Sequence, residues 1–166
     1  MDSLIFQKAV ENDVETMLDI YNFYLVSTTA TFDYKQISRE EFLQRIFIGH
    51  EKYQTYLIRC HNETAGFCFL TQFGKKIAYD RTAEIGLYLK PEFTGKGIGK
   101  IAVTFLEKAA ISKQIKVIVA SISGENIASM KLFQRMGYDQ CAHYKQVGEK
   151  FGRLQDIVDY EKILVN

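Results

Sequence analysis

Residues 90–100 read KPEFTGKGIGK: the chain's one proline, then Gly95, Gly97 and Gly99 at alternate positions with Lys96 and Lys100 among them, ahead of an apolar helical stretch. Glycines so placed lose backbone entropy on folding, about 0.5–1 kcal/mol each relative to alanine, and such a cost marks backbone that something approaches closely. At the N-terminus of a helix the N–H groups of residues 95–99 point outward, the helix dipole favours negative charge, and the two lysines add to it. The chemistry this suits is the binding of a pyrophosphate. A dinucleotide fingerprint would need G-x-G-x-x-G near the first strand, but the third glycine falls one residue early and the run sits mid-chain. A nucleotide-phosphate loop would need glycine at 94 and a hydroxyl at 101, where the chain has Thr94 and Ile101. The bland alternative is a strand-to-helix turn with no ligand.

The elements that must position this loop are legible in outline. LIFQKAV (4–10) reads as a strand, and the segment from Glu11 to Ser27 as a helix capped by Asn12 or Asp13, with Val14, Met17, Leu18, Ile20 and Tyr21 on its apolar face. Ser38 followed by Glu41 is a capping-box pattern and predicts a second helix over 38–50. Residues 53–60 and 64–73 read as paired strands, and 81–91 as a third ended by Pro91. A helix over 101–114, a β-branched strand over 115–123 suited to burial on both faces, and a helix from Asn126 to a stop at Gly137 follow. The tail from Asp139 to Leu164 predicts two strands around a turn at 147–153. The order β-α-α-β-β-β-α-β-α-β-β predicts a single α/β domain over 1–166: a mixed sheet of about seven mostly antiparallel strands with helices on both faces.

Composition excludes several function classes. The chain has 166 residues, 47% of them hydrophobic, and a formal net charge of +1, which argues against a general nucleic-acid binder. Cys60, Cys68 and Cys141 are odd in number and widely spaced, so neither a disulfide framework nor a zinc site is expected, and no metal is. The start, MDSLIFQKAVEND, does not read as a signal peptide, and no stretch reaches the roughly 18 apolar residues of a membrane span. A cytoplasmic protein without a membrane partner is the expectation.

LYLKPEFTGKGIGK resembles the acetyl-coenzyme A motif of the GNAT N-acetyltransferase superfamily, [RQ]-x-x-G-x-[GA] after a strand and a proline turn. SGENIASMKLFQRMGY resembles that superfamily's second motif, and IYNFYLVSTTATF, YDRTAEIGLYL and EKFGRLQDIVDYEKIL narrow the likeness to the phosphinothricin acetyltransferase-like branch. These matches run in order over almost the whole chain. Where the branch has Arg or Gln at the head of the glycine loop this chain has Thr94, which keeps a backbone amide but shortens the side-chain reach, so weaker coenzyme binding is expected.

The resemblance implies acetyl-CoA as co-substrate and direct transfer of its acetyl group to the amine of a small acceptor, an amino acid or an analogue such as phosphinothricin or methionine sulfone or sulfoximine. Other possibilities are a non-catalytic acyl-CoA sensing domain and an acetyltransferase acting on a protein amine. Glu84 is the implied base beside the acceptor. Strand alternation puts Glu84, Gly86 and Tyr88 on one face and Ile85, Leu87 and Leu89 on the other. The alternative for Glu84 is an exposed strand residue paired with Arg81 or a lysine. Coenzyme contacts fall on Leu87, Tyr88 and Leu89, whose strand would receive the pantetheine arm and offer an oxyanion donor, on Thr94, Gly95, Lys96, Gly97, Ile98 and Gly99, and on Asn126 and Ser129. Phe133 stands where many relatives carry the Tyr that protonates the leaving thiolate, and has no proton to give. Phe32 and Arg81 are the candidate acceptor-binding residues, Phe32 otherwise being a loop anchor. Lys150 and Arg153 either face the site across a partner or belong to a solvated turn. A homodimer is implied.

Overall fold

The computed structural model describes residues 4–164. Seven strands form one sheet in the order β1-β2-β3-β4-β5-β7-β6. They are β1 (Leu4–Lys8), β2 (Thr55–Cys60), β3 (Glu63–Gln72), β4 (Thr82–Leu89), β5 (Val117–Ser123), β6 (Asp139–Lys150) and β7 (Arg153–Ile163). Every neighbouring pair is antiparallel except β4 with β5. Four helices, α1 (Val14–Ser27), α2 (Arg39–Leu43), α3 (Ile98–Ser112) and α4 (Ile127–Arg135), cover it.

Two apolar clusters show why the helices divide between the faces. On α1, Val14, Met17, Leu18, Tyr21 and Leu25 recur at helical spacing and pack with Phe42 of α2 against Leu57 and Phe67. On the other face Ile98, Ala102, Val103, Leu106 and Ala110 of α3 pack with Phe133 of α4 against Ile58, Cys68, Ile118 and Tyr160. Successive residues of β2 and β3 therefore serve opposite clusters, as the pleat requires.

Several boundaries differ from the sequence expectation: Glu11–Asp13 form a 3-10 turn ahead of α1, and Asp13 makes no side-chain cap there but accepts from Val10 N–H at 2.9 Å. The capping box of α2 forms, with Glu41 N–H donating to Ser38 Oγ (3.2 Å) and Ser38 N–H donating to Glu41 Oε2 (2.7 Å), yet the helix ends at Leu43 instead of running to residue 50. Its continuation is overridden by pairing with β2: Phe47 exchanges hydrogen bonds with Thr55, and Ile46 enters the core. α3 begins at Ile98, so its first turn includes part of the glycine run. The last hairpin turns in two residues, Phe151 (φ 53°) and Gly152 (φ 69°), and most of the expected 147–153 turn is strand.

Candidate active site

Glu84 stands opposite Val119, and this is the last of only three register pairs that join β4 to β5; from Ile85 and Ala120 onward the two parallel strands part. An open seam results at their C-terminal ends. β4 leads through Pro91 into the glycine loop and α3, and β5 leads through Gly124 into α4, so the N-termini of both helices lie at the mouth of this fork.

The loop's backbone suits an anion. Gly95 (φ 71°) and Gly97 (φ 81°) adopt the left-handed conformation, and a Cβ added at either would meet no atom within 4 Å. The space beside them is free of protein, and no N–H from Gly95 to Lys100 finds an acceptor among the described residues. Gly99 serves a different need: a Cβ there would lie 3.1 Å from Leu132 Cδ2, so its absence lets α3 pack on α4. Lys96 and Lys100 are exposed, with the Lys96 ammonium 5.4 Å from the Phe93 ring centre. Thr94 departs from expectation, because both its N–H (3.1 Å) and its hydroxyl (2.7 Å) donate to the Pro91 carbonyl; its amide belongs to the turn and is not offered to a ligand. Asn126 caps α4 by accepting from Ser129 N–H at 3.1 Å, which leaves its side-chain NH2 free to donate.

Along β4, Lys90 N–H donates to Ala65 of β3 while the Leu89 carbonyl accepts from the Tyr24 hydroxyl, outside that ladder. An extended residue directs its N–H and C=O to the same edge, so Leu89 and, two residues back, Leu87 present their N–H groups to the fork, whereas Tyr88 turns its own toward β3. Side chains follow the alternation: Ile85, Leu87 and Leu89 join the α3 cluster, Tyr88 joins the α1 cluster, and the Phe69 ring fills the place of a Cβ on Gly86.

Glu84 is partly buried and makes no ion pair with Arg81 or any lysine among the described residues. Burial, and secondarily the Asp159 carboxylate, raise its pKa above the usual carboxylate range, the direction a general base needs. Arg81 lies elsewhere. Its carbonyl accepts from Lys116 N–H at the closed end of the β4–β5 ladder, and it lines a shallow concavity of about 510 Å³ with Ile111, Gln114 and Lys116 at the far end of α3. The structure does not bring it together with Phe32.

Phe32 does sit in a built loop. Its ring lies against Gly148 of β6, where a Cβ would come within 3.1 Å. Behind it Tyr21 donates to Asp33 at 2.5 Å, and Arg45 holds Asp33 through both guanidinium nitrogens, keeping that carboxyl below its ordinary pKa. Lys150 is not solvated but 1% exposed, donating to the Thr31 carbonyl at 2.5 Å. Glu125, in the β5–α4 connection, accepts from Thr29 (3.3 Å), Arg153 (3.2 Å) and Gln155 (3.2 Å), tying the loop to the start of α4. Sequence reading missed this network because its members lie up to 119 positions apart; only the STTATF and EKFGR segments hinted at it. Phe133 is buried against Tyr138, with ring centres 5.0 Å apart. No group of three or more metal-ligating side chains occurs among the described residues, and none of their helices is long and apolar enough to cross a membrane.

The geometry finds close counterparts. Residues 15–138 match the acetyltransferase (GNAT) family model. A phosphinothricin N-acetyltransferase of Streptomyces coelicolor is 31% identical over 160 residues, 93% of each chain. An L-methionine sulfoximine/L-methionine sulfone acetyltransferase of Pseudomonas paraeruginosa is 27% identical, over 87% of this chain and 86% of its own. Among solved structures, a phosphinothricin acetyltransferase of Sinorhizobium meliloti in complex with acetyl-CoA superposes with a TM-score of 0.90 at 25% identity, over 97% of this chain and 88% of its own.

Proposed function

The chain belongs to the acetyltransferase (GNAT) family and is an N-acetyltransferase that uses acetyl-CoA, and we propose that it acetylates the amino group of a small acceptor, an amino acid or an amino-acid analogue of the phosphinothricin or methionine sulfone type. The observation that carries this reading is the parting of β4 and β5 at Glu84, with unpaired amides at one end of the seam and a half-buried carboxylate at the other.

When bound, acetyl-CoA supplies an activated acetyl thioester. The N–H groups of Gly95 to Gly99 receive its pyrophosphate, with Lys96 adding charge, and Asn126 and Ser129 at the start of α4 flank the arm. Leu87 and Leu89 offer backbone N–H groups to the arm and to the carbonyl oxygen as it gains charge. Glu84 takes the proton from the acceptor ammonium, directly or through a water, so that a neutral amine attacks. Phe133 gives no acid for the departing thiolate, whose ordinary pKa near that of a free thiol, about 8.5, lets it leave unassisted. Phe32 and the Thr31 loop shape the acceptor side.

The same reading treats 1–166 as one domain, since every strand among the described residues enters one sheet, and assigns it to the cytoplasm, where its free cysteines are stable. A homodimer is supported by the edge strand β6 and its hairpin, which expose Tyr144, Val147, Phe151 and Leu154. Thiol release from acetyl-CoA over a panel of free amino acids and analogues tests the function. Tight coenzyme binding without release on any of them would favour a sensing domain instead.

A further inference from the structure

The two prongs of the fork, the end of β4 and the end of β5, are both held by the C-terminal end of α1. On the β4 side the Tyr24 hydroxyl donates to the Leu89 carbonyl. On the β5 side the Thr29 hydroxyl accepts from the Ser123 hydroxyl at 3.1 Å and donates to Glu125 Oε2 at 3.3 Å, with Thr29 and Ser123 both buried. Between these anchors the helix closes on Thr28, whose N–H (3.0 Å) and hydroxyl (2.8 Å) both donate to the Tyr24 carbonyl, so the anchors belong to one short, stiff stretch. The Tyr24 ring packs against Phe23 and Tyr88, its centre 5.5 Å from each, and burial raises the phenol's pKa above its ordinary value, which keeps it a donor. The Leu89–Lys90 peptide is thereby held at both ends: its C=O by Tyr24 and its N–H by the Ala65 carbonyl of β3 at 2.8 Å. This peptide is the joint between β4 and the Pro91 turn that leads into the glycine loop.

We propose that Tyr24 and Thr29 are positioning residues for the coenzyme's pantetheine arm, fixing the slot between β4 and β5 and the joint from which the arm hangs; this rests on the acetyl-transfer reading given above. An arm that takes a strand's place needs its two neighbours about two strand spacings, roughly 10 Å, apart. Sheet hydrogen bonds do not span that gap while the place is empty, and the link across it comes from α1. The Leu89 carbonyl lies at an open seam where water could satisfy it, so what the phenol adds is direction. With that carbonyl pinned, the Leu89 N–H on the same edge stays aimed into the slot, and the arm is met in one register relative to the pyrophosphate loop.

The test separates the arm from the pyrophosphate. Calorimetric titration gives the affinity for coenzyme A, and its displacement by ADP gives that of a ligand with the pyrophosphate and no arm. Tyr24→Phe, which keeps the ring, is expected to weaken coenzyme A about tenfold while ADP stays within about twofold. Thr29→Val, which cuts the other anchor, shows the same split, and Thr29→Ser, which keeps the hydroxyl, binds coenzyme A as the wild type does. A merely structural role would weaken both ligands together. Equal losses for coenzyme A and ADP, full coenzyme A affinity in Tyr24→Phe or Thr29→Val, or failure of ADP to displace coenzyme A from the wild type overturns the assignment. Thiol release is followed on the same samples: the split without release on any amine would overturn the acetyl-transfer reading and leave the two positioning residues standing.

Discussion

Glu84 faces Val119 in the last pair of the β4–β5 ladder, so the one acidic side chain in the middle of β4 sits where the sheet opens. The opening and the carboxylate have a common cause. β4 turns through Pro91 toward α3 while β5 turns through Gly124 toward α4, and the diverging ends leave backbone donors of β4 without a strand partner. An extended arm can complete the ladder there, which brings its reacting end beside Glu84.

Replacing Glu84 by Gln keeps the shape and removes the base. We expect kcat/KM for the amine to fall about a hundredfold or more. The loss should be largest between the raised pKa of Glu84 and the pKa of the amine, where the wild type has an ionised base and a protonated acceptor. Below that window the wild type loses its base as well, and the two profiles converge. An unchanged pH–rate profile in the variant would remove Glu84 from the mechanism.

The same shift has a stability sign. A carboxyl whose folded pKa lies above its unfolded value favours the protonated folded state, so stability is lost as pH rises through the raised pKa. Glu84→Gln should therefore unfold at a higher temperature than the wild type at neutral pH, and the gain should vanish in acid. Thermal unfolding at the two pH values checks it.

Gly97→Ala and Gly99→Ala separate binding from packing. At φ 81° a Cβ costs about 1–2 kcal/mol, but the space around Gly97 is empty, so the KM for acetyl-CoA should rise severalfold in a folded protein. At Gly99 the Cβ meets Leu132 at 3.1 Å, and the expected result is chiefly a lower Tm, recovered in the double variant with Leu132→Ala if that contact is the cause.

Local signals made the glycine loop, the strand holding Glu84 and both capped helices legible. Alternation along RTAEIGLYL assigned faces correctly because β4 is covered on both sides and its pleat is regular. Non-local pairing was not legible. Nothing in IFIGH announces that Phe47 would leave its helix to bond Thr55, and nothing near Arg81 shows that its carbonyl would pin the start of β5, away from Phe32.

Thr94→Arg tests the one departure in the coenzyme loop. The Thr94 hydroxyl is occupied by Pro91, so the native side chain offers the pyrophosphate nothing, while the backbone bond to Pro91 persists with any residue there. An exposed guanidinium at this point should tighten coenzyme A about threefold, roughly half of 1.4 kcal/mol, and the gain should fade with added salt. Equal affinity in calorimetry would mean that the loop's amides set the binding alone.

Lys150→Met tests whether the Thr31 loop is held for the acceptor. The lysine is 1% exposed, donates to the Thr31 carbonyl at 2.5 Å, and lies near Asp33, which opposes the effect of burial on its pKa. Methionine fills a similar volume without a donor, so a buried carbonyl is left unpaired at about 1–3 kcal/mol. Loosening Thr31 displaces Phe32, and the amine KM should rise severalfold. The acetyl-CoA KM should not, because the glycine loop shares no bond with this hairpin. Burial lowers the lysine's folded pKa, so wild-type stability increases as pH climbs from that lowered value toward the ordinary 10.5. The variant has no such group, and the gap in Tm between the two proteins should widen over that alkaline window. Equal rises in both KM values would instead mark Lys150 as a general support of the fold.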